Sequence, residues 1–319
     1  MHLLVTGGAG FIGSNFIHYI ADKYPDYKIV NLDALTYAGN LGNLKAQEKN
    51  KNYTFVQGDI GDYDLVTKVV LEKDIDIIVN FAAESHVDNS ITGPDPFIIT
   101  NVLGTHNLLK VAKENKIRFH HVSTDEVFGS LSEDEAKFDE NTAYDPRSPY
   151  SSSKASSDHI VRAYYHTYGL KTTISNCSNN YGPYQHVEKF IPLFITNLLQ
   201  NKKVPLYGEG QNIRDWLYVE DHCRAIDLII HQGKVGETYL VGGDAEKRNI
   251  EIAKLLVEKL GQNDSMIEKV EDRLGHDFRY AIDFSKIKNE LGWEPQVSFT
   301  EGLDKTIDWY KNNKAWWEK

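Results

Sequence analysis

The stretch His2-Leu3-Leu4-Val5-Thr6-Gly7-Gly8-Ala9-Gly10-Phe11-Ile12-Gly13 carries the decision about the fold. Leu3–Thr6 is a short apolar run, and Phe11–Lys23 can continue as a helix. Between them Gly7, Gly10 and Gly13 stand in G-x-x-G-x-x-G spacing, a variant of the dinucleotide fingerprint G-x-G-x-x-G. A tight strand-to-helix turn needs backbone freedom, and a pyrophosphate has to approach without a Cβ in its way. The helix start then offers free N–H groups and the positive end of the helix dipole. An ordinary tight turn uses the same glycines, so the reading depends on what flanks them.

The second apolar run, Lys28–Leu32, ends at Asp33, 20 residues beyond Gly13. A carboxylate there accepts hydrogen bonds from the adenosine ribose hydroxyls and repels a 2′-phosphate. Ala34, Leu35 and Thr36 follow with no lysine or arginine, which favours NAD over NADP. Further runs at Tyr53–Gln57, Ile75–Phe81 and Phe119–Ser123 alternate with helix candidates at Tyr63–Leu71 and Pro96–Glu114. This alternation predicts an α/β fold, a Rossmann-type doubly wound parallel sheet. After about residue 175 the regularity fades and proline and glycine punctuate the chain. Helices are expected again at Asn249–Leu260, stopped by Gly261, and at Thr300–Tyr310. The chain thus divides into an NAD-binding Rossmann domain over 1–175 and a smaller mixed C-terminal substrate lobe over 176–319. Tyr218–Ile230 and Glu237–Val241 are expected to return to the main sheet, so returns fall near 215–242.

With 319 residues there is room for a large core, and 41% hydrophobic with 25% charged residues is an ordinary globular balance. The 35 basic and 46 acidic residues leave a net charge of −11, which argues against general nucleic-acid binding. Two cysteines, Cys177 and Cys223, make no disulfide framework and no zinc spacing. The N-terminus has no basic segment before its apolar run, and Phe190–Leu199 is too short to span a bilayer. A reducing cytoplasm is the expected compartment, with no membrane and no metal.

Tyr150 and Lys154 follow Pro149 four residues apart, on one face of a helix continuing through Ser156–Tyr168. A nearby ammonium, with a positive nicotinamide, favours the phenolate and makes Tyr150 a base for a hydroxyl proton. A half-buried tyrosine beside a snorkelling lysine gives the same spacing. The fifth apolar run ends in Ser123-Thr124-Asp125-Glu126. Adjacent side chains on a strand point to opposite faces, so these residues act together only if the strand ends there and the chain turns. Two adjacent carboxyls at a sheet edge can divide acid and base roles, the acid being held protonated by burial and by its neighbour's charge. A polar loop after a strand is the plainer reading of the triplet taken alone.

Taken together the segments resemble a known family. In order they are residues 7–13, Asp33, Gly58-Asp59-Ile60, Ala82-Ala83-Glu84-Ser85-His86-Val87-Asp88, Ser123–Gly129, Tyr150 with Lys154, Asn179–Pro183, Glu188–Pro192, Pro205–Gly208, Arg214–Trp216 and Asp272–Asp277 with Arg279-Tyr280. They are similar to the extended short-chain dehydrogenase/reductases acting on nucleotide sugars, and Thr124-Asp125-Glu126 resembles their 4,6-dehydratase branch, which serves deoxysugar (rhamnose) biosynthesis. The resemblance covers essentially the whole chain. Leu274 departs from it, standing where the family often has proline.

The resemblance implies an NAD-dependent carbon–oxygen lyase that converts dTDP-glucose to dTDP-4-keto-6-deoxyglucose and water. Tyr150 would remove the O4 proton, with Thr124 hydrogen-bonding that oxygen and Lys154 holding the nicotinamide ribose. Glu126 would take the C5 proton, Asp125 would protonate the leaving C6 hydroxyl, and hydride would return to C6. The cofactor set it implies is Gly7, Gly10, Phe11, Ile12 and Gly13; Asp33, Ala34, Leu35 and Thr36; Asp59 and Ile60; Phe81, Ala82, Ala83 and Glu84; Thr100, Tyr150, Lys154 and Asn180. Ser85, Thr124, Asn179, Lys189 and Phe190 would line the sugar site, and Pro205, Leu206 and Tyr207 the base. Arg214, Asn249 and Asp272, Arg273, Leu274, Gly275 and His276 would hold the diphosphate, arginine suiting it by its directional fork. A homodimer through paired helices is implied as well.

A UDP-sugar 4-epimerase or decarboxylase of the same family would keep the glycines and the Tyr-Lys pair without the triplet. A non-catalytic NAD-binding regulator is the reading from another class. His86, His120 and His121 are read as structural, and Cys177 as a buried strand residue. Trp309, Trp316 and Trp317 suit either C-terminal packing or a partner surface.

Overall fold

The computed structural model describes residues 1–272 and 275–318. The first half runs β1 (His2–Thr6), α1 (Phe11–Lys23), β2 (Lys28–Asp33), β3 (Tyr53–Gln57), α2 (Tyr63–Glu72), β4 (Ile77–Asn80) and α3 (Val87–Thr92). Next come α4 (Asp95–Phe97), a π-helical segment (Ile98–Gly104), α5 (Thr105–Glu114), β5 (Arg118–Thr124), α6 (Pro149–Tyr168) and β6 (Thr172–Cys177). The second half holds β7 (Asn179–Tyr181), α7 (Phe190–Leu199), β8 (Val204–Tyr207), β9 (Ile213–Tyr218), α8 (Val219–Gln232), β10 (Thr238–Val241), β11 (Glu246–Arg248) and α9 (Asn249–Lys259). It closes with β12 (Ile267–Val270), α10 (Ser285–Leu291), α11 (Phe299–Asn312) and α12 (Lys314–Trp317).

Seven strands form one sheet in the order β10-β6-β5-β4-β1-β2-β3, every pair parallel. A parallel sheet needs helical crossovers, and these cover both faces. On one face Leu4, Val30 and Ile78 meet Val66, Leu108, Leu109 and Val161. On the other, Leu3, Val5 and Val79 meet Phe16, Ile17, Cys223 and Ile226. The order reverses between β1 and β4, which opens a crevice at the carboxyl ends of the strands.

Three details differ from the sequence reading. The run expected as strand from Ile75 to Phe81 pairs only over Ile77–Asn80. The helix expected over Pro96–Glu114 contains the π segment, which turns Asn101 inward. There Asn101 accepts from Glu84 N (2.9 Å) and donates to Glu84 O (3.0 Å) and Ser153 Oγ (2.8 Å). A π segment inserts one extra residue into a turn, and here it aims an amide at the crevice wall. Finally, β6 continues past residue 175 to Cys177, so the chain leaves the sheet later than its composition suggests.

The chain also comes back. Strand β10 pairs with β6, and α8 lies on α1, where Lys23 Nζ is 2.7 Å from the Asp227 carboxylate. The second lobe is built on β11-β9-β7 and on β12-β8, covered by α7, α9 and α11. Among the described residues no helix is long and apolar enough to cross a membrane.

Candidate active site

A cleft of about 700 Å³ runs along the carboxyl edge of the sheet at the β1/β4 reversal. Its floor is the glycine turn. Gly7 takes φ +69°, and a Cβ there would stand 2.6 Å from the backbone N of Ala82, so no other residue fits. The first turn of α1 carries neither an acidic side chain nor a side-chain cap, leaving its N–H groups to the cleft. Asp33, at the end of β2, accepts from the N–H of Ala9 (2.9 Å) and of Leu35 (2.8 Å). It therefore ties the second strand to the glycine turn as well as facing the cleft. Burial pushes its carboxyl up.

Of the expected cofactor residues all but Leu35 line this cleft. Leu35 lies at φ +54° in the bend that carries the chain away from Asp33. Ser85, Thr124, Asn179 and Lys189 of the expected sugar site line it too.

A turn brings the triplet to one side of the sheet edge. β5 ends at Thr124, and a 3₁₀ turn over Asp125–Phe128 bends the chain at once. Thr124 Oγ1 accepts from Glu126 N and donates to Asp125 Oδ1, both at 3.3 Å. That turn lets all three residues line one cleft. Asp125 is fully buried, and its Oδ2 has no hydrogen-bond partner among the described residues. Burial, then the charges of Glu126 and Asp215, push its carboxyl well above the usual range, against the pull of Arg214. Asp125 is thus held in the proton-bearing form.

Tyr150 and Lys154 sit on the first turns of α6, started by a Ser148–Ser151 capping box with Pro149 at its first position. Lys154 Nζ donates to Val122 O (2.8 Å) and lies 3.4 Å from His121 Nε2. The charges that the protein itself sets around Tyr150 act against the phenolate, and the expectation for it rests on a positive nicotinamide as well as on Lys154. Burial, then Glu126, Cys177 and Asp125, push Tyr150 well above 10, because desolvation and negative neighbours penalise the phenolate.

In the second lobe the expected set scatters. Strand alternation turns the Leu206 side chain into the core and leaves Pro205 and Tyr207 outward, so Leu206 could meet a base only through its main chain. Tyr207, Asp272 and His276 gather at one place: Asp272 Oδ1 is 2.6 Å from His276 Nδ1, and the Tyr207 and His276 rings meet edge-on at 6.1 Å. Arg214 is buried, donates to the carbonyls of Ile213, Asp277 and Phe278, and lies over the Tyr280 ring at 4.2 Å. Asn249 opens α9, its N–H donating to Asn212 O. Phe190 packs on Phe194 at 4.3 Å. Gly275 takes φ +64° between these residues, and none of this group lines the cleft. Arg273 and Leu274 lie outside the described residues.

Some cleft residues escaped the sequence reading. Tyr37, Tyr184 and His186 line the cleft, beside Glu188 of the quoted Glu188–Pro192 segment, which lies 3.6 Å from both His86 Nε2 and His186 Nδ1. Lys189 Nζ reaches across to Ser85 O at 2.9 Å. Trp316 and Trp317 also line the cleft, Trp316 Nε1 donating to Asn43 Oδ1 (2.7 Å) while Asn43 Nδ2 donates to Ala9 O (2.9 Å). Trp316 packs edge-on against Tyr184 and Tyr310, and Trp317 Nε1 donates to Tyr310 O (2.8 Å). No local spacing announces a contact between residues 43 and 316. His120 lies between Thr173 and Ser175 hydroxyls inside the sheet.

Sheet order, glycine turn and the Tyr-Lys helix facing a carboxylate pair are together those of an extended short-chain dehydrogenase/reductase. The pattern of the GDP-mannose 4,6 dehydratase family matches residues 4–306. A dTDP-glucose 4,6-dehydratase of Xanthomonas campestris pv. campestris (strain B100) is 52% identical over 98% of this chain and 94% of that protein. The crystal structure of DesIV, a dTDP-glucose 4,6-dehydratase from Streptomyces venezuelae with NAD and TYD bound, superposes with a TM-score of 0.96 at 50% identity, covering 100% of this chain and 99% of that one. A UDP-glucose 4-epimerase from Thermotoga maritima gives 0.91 at only 28% identity, covering 98% and 100%. The chain belongs to this dehydratase family, in the group that carries the dTDP-glucose 4,6-dehydratase name.

Proposed function

We propose that the protein is an NAD-dependent dTDP-glucose 4,6-dehydratase, converting dTDP-glucose to dTDP-4-keto-6-deoxyglucose and water. The observation that carries this is the Thr124-Asp125-Glu126 turn, which sets a buried, proton-bearing carboxyl beside a second carboxyl in the cleft that also holds Tyr150. An epimerase has no use for a group that protonates a departing hydroxyl.

The cleft suits NAD. The space a Cβ would fill at Gly7, the uncapped start of α1 and the Asp33 carboxylate match a pyrophosphate and an adenosine ribose. Gly10, Gly13, Asp33, Thr100 and Lys154 would hold it. When bound, NAD supplies the hydride acceptor for C4 and the hydride donor for C6. The chain's own residues manage the protons. Tyr150, as the phenolate that a positive nicotinamide and Lys154 would favour, takes the proton of the O4 hydroxyl, and Thr124 hydrogen-bonds that oxygen. The C4 carbonyl that results acidifies the proton on C5, and Glu126 takes it. Asp125 gives its proton to the C6 hydroxyl, which leaves as water, since hydroxide is a poor leaving group. Glu126 then returns its proton to C5.

Ser85, Asn179 and Lys189 would position the sugar, and the Tyr207, Asp272 and His276 cluster with Arg214 the nucleotide. Residues 1–175 serve the cofactor and 176–319 mainly the substrate. The enzyme would act in the cytoplasm in deoxysugar (rhamnose) biosynthesis. It would act as a homodimer: Ile98, Ile99 and Leu103 are 45%, 58% and 56% exposed on the stretch joining α4 to α5, a row a second copy would cover.

The test is incubation of purified protein with dTDP-glucose and NAD, followed by mass spectrometry of the sugar nucleotide. Loss of one water without accumulation of NADH is expected. An unchanged mass with altered sugar configuration would point to an epimerase and refute the assignment.

A further inference from the structure

One buried carboxylate is not used by these proton transfers. Tyr150, Lys154 and Asp158 recur at four-residue spacing on α6 and face the sheet. Asp158 is wholly buried. Its Oδ2 accepts from Ser123 Oγ (3.0 Å), Tyr144 OH (2.9 Å) and Asn176 Nδ2 (3.0 Å). Its Oδ1 lies 3.5 Å from His121 Nε2. All three hydrogen-bonding groups donate, which is the environment of an ionised carboxylate. Asn176 Nδ2 also donates to Thr124 O at 3.0 Å, so the same knot grips the end of β5 where the triplet begins.

We propose that Asp158 is a positioning residue of the reaction: it is the buried counter-charge of Lys154 and the anchor that fixes the Thr124 end of β5 to the helix carrying Tyr150. The inference rests on the dehydratase reading. A fully buried ammonium needs a negative partner, or it gives up its proton. Burial draws Lys154 down to about 8, and Asp158 is the first of the charges holding it up, ahead of Cys177. The groups that face this pair are few. Tyr150 and Arg162 stand on α6 itself, Arg162 reaching the Tyr144 hydroxyl (2.9 Å). His121 comes from β5, Cys177 from β6 and Tyr144 from the preceding loop. His106 of α5 meets the same helix further on, at Tyr164. His121 is held neutral by burial and by Lys154, and burial keeps Cys177 a thiol. Among these groups Asp158 is the one carboxyl; burial pushes it up, and Lys154 with the three donors on Oδ2 pulls it back toward the ionised form.

The test compares Asp158→Asn and Asp158→Glu with the wild type on dTDP-glucose. With the charge gone, the alkaline limb of the kcat profile is expected to move down by about one pH unit or more, and kcat at pH 8 to fall about fivefold or more, with KM changed less than threefold. Asp158→Glu, which keeps the charge, is expected to retain the wild-type limb. A merely structural role lowers the amount of folded enzyme without moving the limb, and an unmoved limb in Asp158→Asn overturns the proposal. A double-mutant cycle on thermal stability adds Lys154→Met and Lys154→Met/Asp158→Asn. Coupling is expected, with the double variant more stable than the two single losses predict, even if Asp158→Asn alone does not fold. Additive losses overturn the proposal. Wild-type turnover is measured in parallel: its absence is the failure of the dehydratase reading, whereas turnover with unmoved profiles is the failure of this inference alone.

Discussion

Replacing Asp125 by asparagine separates chemistry from stability at a single atom. The side chain keeps its shape, and Oδ1 keeps an acceptor for Thr124 Oγ1, 3.3 Å away. What is lost is the proton that can be given away. Loss of a general acid typically costs about 10²–10⁴ in rate, so kcat for dehydration is expected to fall at least a hundredfold. Stability goes the other way, and its sign follows from protonation. The folded pKa of Asp125 is raised well above 3.8, first by burial and then by Glu126 and Asp215. The folded state therefore binds a proton that the unfolded chain releases as pH rises past the ordinary carboxylate range. Asp125 costs stability from there up to its folded pKa, about 1.4 kcal/mol for each unit of displacement. Asparagine carries no such cost. Its melting temperature at pH 7 is expected to equal or exceed the wild type by a few degrees, and the gain is expected to shrink toward pH 4. Turnover is followed by the mass of the sugar nucleotide, and melting by calorimetry from pH 4 to 8. Turnover within threefold of wild type refutes the acid role. A melting temperature lowered equally at every pH refutes the reasoning about the buried carboxyl.

Gly7→Ala is expected to destabilise the fold by about 2 kcal/mol or more and to abolish NAD binding measured by calorimetry, since φ +69° strains a side chain and its Cβ meets Ala82 N at 2.6 Å. Asp33→Ala leaves the N–H groups of Ala9 and Leu35 without their acceptor, at about 1–3 kcal/mol each; denaturant unfolding is expected to show the loss, and NAD affinity to fall with it. Ile99→Glu with Leu103→Glu is expected to give a monomer by light scattering, because charge on this exposed apolar row opposes its burial against a second copy.

Much of the site was legible because its chemistry is written in short range. The glycine turn needs glycine at three positions within one turn, and the strand before it and helix after it follow from local pattern. Tyr150 and Lys154 share a face through helical periodicity alone. Thr124, Asp125 and Glu126 are neighbours in the chain, so only the bend after β5 had to be supplied, and the Thr124 cap at Glu126 N supplies it. The inward turn of the Leu206 side chain was not legible in the motif, because strand alternation sends it into the core. Burial and the carboxylates around the Tyr150 phenol belong to the assembled cleft rather than to the helix, so their pull against the phenolate is not legible in the helical spacing.

The amino-acid sequence by itself determined the local elements, the βαβ start with its acidic partner and the candidate reactive set. These follow from backbone permission, side-chain period and residue chemistry over a few residues. The tertiary structure decided which distant groups share a dielectric and a cavity. It brought β10 and α8 back to the sheet, and it set Trp316 on Asn43 at the glycine turn. It turned Asn101 inward through a π segment, and it enclosed Asp125 beside Glu126 and Lys154 beside Asp158. Protonation depends on burial and on charges from several elements at once, and neither exists until the chain has closed around them.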